Sequence, residues 1–297
     1  MPETDYGLPL IDNLFIGAGA MKAGTTWLYS VLGQHPDIYF SPEKEIHYFY
    51  AVHVRPDVLS DANRLQNVQT KYLRFDPTKG RTRVVRDRLR WAANYLDSPI
   101  DDHWYRQLFA LRRDQKWAAD FSNLYAHLPS AAWARIAEQV DQLRVIYTLR
   151  DPVDRLWSHA KFHLRLTGQE DSIDRWDRRE MNRFLRQPFI WENAEYGAAI
   201  RRMQEGLPES SLKIAWHEGI HSDPRAFLSE MEVFLGLPAH DYPEGMLKQR
   251  VNSTPARSAP TYFRSLVAQD VERIEGELRA LNLSPPDSWS ERVEAAE

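Results

Sequence analysis

An α/β fold, a parallel sheet flanked by helices on both faces, is the class this sequence predicts, and three observations carry it. Four short apolar runs, Leu14–Gly17, Trp117–Ala119, Val145–Leu149 and Leu212–Trp216, have the length and continuity of strands buried on both sides. Helical patterns lie between them, the alternation that places helices over a parallel sheet. A glycine-rich turn joins the first run to the first helical pattern.

Each element has a local reason. Leu28, Val31 and Leu32 form a helical stripe that stops before Pro36. Asp151-Pro152 supplies an N-cap and an N1 proline, and Val153, Leu156, Trp157, Ala160 and Leu164 then share one helix face. Asp223-Pro224 opens a further helix through Phe227, Met231, Phe234 and Leu235, closed by Gly236. Residues 52–102 and 167–190 break the alternation and read as insertions in a single domain spanning residues 1–297.

Composition excludes several classes. The 297 residues include 38 basic and 42 acidic side chains, a net charge of -4, so no global field favours nucleic acid. Without cysteine there is no disulfide, thiolate metal site or Cys nucleophile. Met-Pro-Glu-Thr-Asp-Tyr at the N-terminus lacks the basic and apolar parts of a signal peptide, and no run approaches the ~20 apolar residues of a membrane span. A cytoplasmic protein without a transmembrane segment is therefore expected. Oligomeric state is not legible.

The turn Gly17-Ala-Gly-Ala-Met-Lys22-Ala-Gly24-Thr25-Thr26-Trp27-Leu28 approaches the P-loop of nucleotide-binding proteins, yet its lysine comes three residues early. In G-x-x-x-x-G-K-[ST] the lysine follows the last glycine and the next hydroxyl holds Mg²⁺. Here Thr25 fills the lysine slot. Glycines still allow backbone N–H groups to approach an anion, and the following helix points its positive end at it, so a phosphate or sulfate is expected, with charge arranged differently from that of ATP.

Ala20-Met-Lys22-Ala-Gly24-Thr25-Thr26-Trp27-Leu28 resembles the 5′-phosphosulfate loop of sulfotransferases that use 3′-phosphoadenosine 5′-phosphosulfate (PAPS), whose fold is P-loop-related. The resemblance implies that Lys22, with Ala23, Gly24, Thr25 and Thr26, holds the 5′-phosphate that leaves, that Trp27 stacks on adenine or belongs to the core, and that no metal is needed. PAP, the 3′,5′-bisphosphate, would be the product.

Val145-Ile-Tyr-Thr-Leu-Arg150-Asp-Pro152-Val-Asp-Arg-Leu-Trp-Ser158 is similar to that family's 3′-phosphate motif, which implies Arg150 and Ser158 as its ligands. Ser41-Pro-Glu-Lys44-Glu45-Ile-His47-Tyr-Phe49 resembles a segment whose Glu is the general base in glycan-type members, so Glu45 is the expected base and His47 its rival. Ala119–Tyr125 follows a family strand end loosely. Phe121 stands where some glycan enzymes have a lysine, which argues against a strongly anionic polysaccharide acceptor. In Lys248–Arg257 the resemblance implies nucleotide contacts from Arg250, Asn252, Ser253 and Arg257.

The expected activity is transfer of a sulfonate from PAPS to a hydroxyl of a glycan, lipid or small-molecule alcohol. Two other readings stay open: a P-loop kinase using ATP and Mg²⁺, and a nucleotide-binding protein without catalysis.

Overall fold

The computed structural model describes residues 9–249 and 257–289. Strands β1 (Ile11–Gly17), β2 (Ile38–Phe40), β3 (Trp117–Phe121), β4 (Val140–Leu149) and β5 (Leu212–Trp216) form one sheet in the order β2-β3-β1-β4-β5. β3 pairs in parallel with β1, Leu14 opposite Ala118, and with β2, Ile38 opposite Trp117. Four strands contain or extend the four apolar runs. β2 is absent from the sequence reading because Ile-Tyr-Phe is too short to show a period; pairing with β3 makes it a strand.

The chain leaves β1 toward β3 and β2 on one side and later takes up β4 and β5 on the other.

By its contacts the chain divides into two compact units. The first comprises Met1–Ala18, Leu32–Val145 and Arg202–Leu212. It carries helices α2 (Tyr48–His53), α3 (Asp61–Lys71), α4 (Thr82–Leu96), α5 (Asp102–Gln107) and α6 (Ser130–Glu138). The residues 52–102 read as an insertion thus hold α3 and α4. Arg64 of α3, 2 % exposed, joins them by donating to the carbonyls of Leu59, Tyr95 and Asp97 at 3.1, 2.8 and 2.7 Å. Aromatic rings dominate the core: Phe15 meets Phe121 edge-on at 5.3 Å, and Tyr48 stacks on Tyr105 at 4.5 Å.

The second unit comprises Gly19–Val31, Ile146–Arg201 and Lys213–Glu297. It holds α1 (Thr25–Leu32) as far as Val31, α7 (Pro152–Leu166), α8 (Arg178–Leu185), α9 (Pro188–Trp191), α10 (Tyr196–Gly206) as far as Arg201, α11 (His217–Ser222), α12 (Pro224–Leu235), α13 (Glu244–Leu247) and α14 (Phe263–Ala280). Asp151 caps α7 by accepting from the N–H groups of Val153 and Asp154 at 2.8 and 3.3 Å, with Pro152 at the first helical position. The stripe from Val153 to Leu164 is buried as its spacing requires. Asp223 caps α12 in the same way, and Gly236 closes it in the left-handed conformation, φ 59°. Of the described helices, none is long and apolar enough to cross a membrane.

Candidate active site

In the second unit, the loop after β1 is shaped by glycine. Gly19 and Gly24 have φ of 120° and 86°, and a Cβ on Gly24 would lie 2.7 Å from Ile220 and 3.0 Å from His217. Lys22 also adopts a left-handed backbone, φ 69°, which costs an ordinary side chain about 1–2 kcal/mol. The loop is laced to the end of β4: Ala20 N–H donates to the Thr148 carbonyl at 2.8 Å, and Thr148 N–H to that of Gly19 at 2.9 Å.

Two residues further along, the Arg150 guanidinium donates to the Lys22 carbonyl at 3.2 Å. The two sequence motifs, 128 residues apart, therefore meet. Lys22 places its ammonium 4.4 Å above the Phe162 ring of α7. Ser158 is half-buried on α7, as are Asp154 and Lys161. Ala23 and Thr25 are buried.

Trp27 is buried too, 4 % exposed, with its ring edge-on to Phe227 at 6.5 Å. Arg257 donates to the Glu170 carbonyl at 2.5 Å and pairs with Asp174 at 3.0 Å, while its own carbonyl accepts from Trp157 at 2.8 Å. Arg250, Asn252 and Ser253 lie outside the described residues.

Two histidines escaped the sequence reading. His217 follows β5 directly and packs beside Gly24; burial, reinforced by the cation of Arg150, pushes its pKa down to about 3. His159 on α7 is pushed down to about 2 by burial, with Arg155 and Lys22 adding in the same sense. Both imidazoles are neutral at pH 7 and accept or donate without adding charge. A position just past a strand end could have marked His217; nothing in the α7 pattern marks His159.

In the first unit, the loop after β2 docks on the loop after β3, because parallel neighbours end at the same edge. Glu45 N–H donates to the Phe121 carbonyl at 2.8 Å, and His47 N–H to Ser122 Oγ at 3.0 Å. The Glu45 carboxylate accepts from Asn123 N–H at 2.7 Å, is paired with Lys44, and lies 3.9 Å from His47 Nε2. Glu45 and His47 both hold left-handed φ, 69° and 62°. Of the four described non-glycine residues with positive φ, three are therefore Lys22, Glu45 and His47, and strain of this kind concentrates at functional sites. Burial, opposed by the Glu45 charge, pulls the His47 pKa below its usual value.

Beneath this loop sits Asp120, fully buried, which the sequence reading placed just past the apolar run ending at Ala119 and gave no role. Its carboxylate accepts from Ser122 Oγ at 2.8 Å, Tyr105 at 3.1 Å and Tyr125 at 2.6 Å. Burial outweighs those three bonds and pushes its pKa up to about 6. A carboxyl raised in the folded state favours folding at low pH, and that contribution is lost as pH rises from about 4 through 6. Stability of the wild type relative to Asp120→Asn is expected to fall over that window by about 3 kcal/mol, read from urea melts at successive pH values. A pH-independent difference would mean that Asp120 is not held in its protonated form.

The sequence matches the model of the "Sulfotransferase family" over residues 14–241. Among solved structures, it is similar to a sulfotransferase from Alicyclobacillus acidocaldarius, with 24% identity, a TM-score of 0.62, and coverage of 94% of this chain and 98% of that one. It is also similar to the sulfotransferase domain from the curacin biosynthetic pathway, with 15% identity, a TM-score of 0.51, and coverage of 94% and 99%. No protein of curated function matches the sequence. The family match takes in the loop after β1, the loop after β2 and the Arg-Asp-Pro turn before α7, and the chain belongs to the sulfotransferase family.

Proposed function

We propose that this protein is a cytoplasmic, PAPS-dependent sulfotransferase, one domain with insertions at 52–102 and 167–190, that sulfonates an acceptor hydroxyl without a metal. The observation that carries the donor assignment is the hydrogen bond from the Arg150 guanidinium to the Lys22 carbonyl, which ties the residue after β4 to the glycine loop that carries Lys22. Such a donor set fits an adenosine carrying phosphates at both 5′ and 3′ positions.

Lys22 and the amides of Gly24–Thr26 would hold the 5′-phosphate, and Arg150 with Ser158 the 3′-phosphate. PAPS supplies an activated sulfonate: its S–O bond to the phosphate breaks as a bond to the acceptor oxygen forms, and the electron pair stays on the leaving phosphate. Lys22 would stabilise that growing negative charge. Glu45 would accept the proton of the acceptor hydroxyl. Trp27 is too deeply packed to offer a ring face without rearrangement, so adenine stacking is not part of this reading.

The test needs no knowledge of the acceptor. The 3′,5′-bisphosphate at ~100 times its Kd adds about 2.7 kcal/mol of stability. That should raise Tm by several degrees, on the order of 2–4 °C per kcal/mol, with EDTA present. ATP at the same concentration should give little. A shift seen only with ATP and Mg²⁺ would overturn the proposal in favour of a kinase.

A further inference from the structure

A cavity of about 380 Å³ opens beside Glu45 and His47 within the first unit. It lies near the lower end of the roughly 300–1,000 Å³ range of small-molecule sites, so it suits one ring or a short chain rather than a polymer segment. One wall is α3, whose Asn63, Gln66, Asn67 and Thr70 fall at i, i+3, i+4 and i+7 and so share one helix face. That face presents three carboxamides and a hydroxyl.

Two of these groups, Asn63 and Thr70, are tied by hydrogen bonds. Arg64, buried behind α3, ties the helix to the carbonyls at the end of α4. Asn63 donates to the Asp57 carbonyl at 3.0 Å, and Thr70 donates back to the Gln66 carbonyl at 2.8 Å. Among the described residues the Gln66 carboxamide has no such tie. The opposite lining includes Glu43, which is buried and paired with Lys71 and with the Tyr72 hydroxyl at 2.9 Å. Glu43 is thus matched by Lys71 and Glu45 by Lys44, so the cavity walls carry no net charge and offer no unpaired cation among the described lining residues.

We infer that the acceptor is an uncharged polyol, a sugar-type ring or short polyhydroxylated chain, that occupies this cavity with one hydroxyl at Glu45 and its neighbours on the amide face of α3. Vicinal hydroxyls both donate and accept, as carboxamides do, so each can be matched. A phenol or sterol would cover the same amides without pairing them, at a cost of about 1–3 kcal/mol for each group left unsatisfied. An anionic sugar would find no free cation in the lining, because Lys71 is already paired with Glu43 and Lys44 with Glu45. In the reaction one polyol O–H loses its proton to Glu45 as its oxygen takes the sulfonate, and the donor's phosphate leaves with the S–O electron pair.

This inference rests on the sulfotransferase reading, and bisphosphate binding by thermal shift tests that reading separately. With bisphosphate bound, saturation-transfer NMR should detect methyl glucosides, methyl galactosides or inositol on the protein, and not 4-nitrophenol or a glucuronide. With PAPS, at least one of those neutral polyols should be sulfonated. Gln66→Leu, a change at an exposed position, should raise its KM about tenfold with kcat and the KM for PAPS nearly unchanged, and Thr70→Val should act in the same direction. Bisphosphate binding together with turnover confined to phenols, sterols or anionic sugars, turnover of no polyol, or an unchanged polyol KM in Gln66→Leu, would each overturn it.

Discussion

Lys22→Ala is expected to lower turnover roughly 10²–10³-fold while the protein stays folded, the loss that follows removal of one preorganised donor from a developing anion. Substitution there is mild for the fold. Alanine meets the same left-handed strain at φ 69° that lysine already bears, and the packing lost includes the contact over Phe162. A cation over an aromatic ring at a partly open site contributes about 0.5–1 kcal/mol. Tm should therefore fall by a few degrees at most, as scanning calorimetry will read. The bisphosphate should still bind through Arg150, more weakly. Near-normal turnover would remove Lys22 from the mechanism, whatever happened to binding.

Glu45→Gln should leave the loop in place and cost about 10²–10⁴-fold in kcat, the usual worth of a positioned base. The amide oxygen of glutamine can still accept from Asn123 N–H, and the loop keeps its backbone bonds to Phe121 and Ser122. What disappears is the ability to take a proton. The KM for PAPS should hardly change. His47 is the competing base, and the two are separable. Its ring is largely buried, its Nδ1 has no hydrogen-bond partner among the described residues, and burial depresses its pKa, so it is uncharged at pH 7. His47→Asn should mainly alter acceptor KM. Loss of chemistry in His47→Asn with an active Glu45→Gln would reverse the assignment.

What was legible in the sequence was whatever is encoded locally. The apolar runs became β1, β3, β4 and β5 because a strand buried on both faces must be apolar throughout. Asp151-Pro152 and Asp223-Pro224 opened helices because a short acceptor side chain and a fixed φ act on the next three residues and need nothing from afar. The shifted lysine of the loop was visible for the same reason: spacing within one turn dictates which group reaches an anion.

Contacts made at a distance were decided only by the tertiary structure. β2 exists through its pairing with β3, and that pairing carries Glu45 onto the loop after Phe121. Asp120 reads as a residue just past an apolar run until folding brings Tyr105 and Tyr125 to its carboxylate and drives its pKa up. Trp27 could stack on a base or join the core from its sequence position; the arrival of Phe227 from α12 buried it. The amide face of α3 was hidden inside a segment without a motif. Its meaning depends on a cavity, and a cavity is fixed by side chains brought together across the chain, with desolvation setting their chemistry, neither of which has a local signature in sequence.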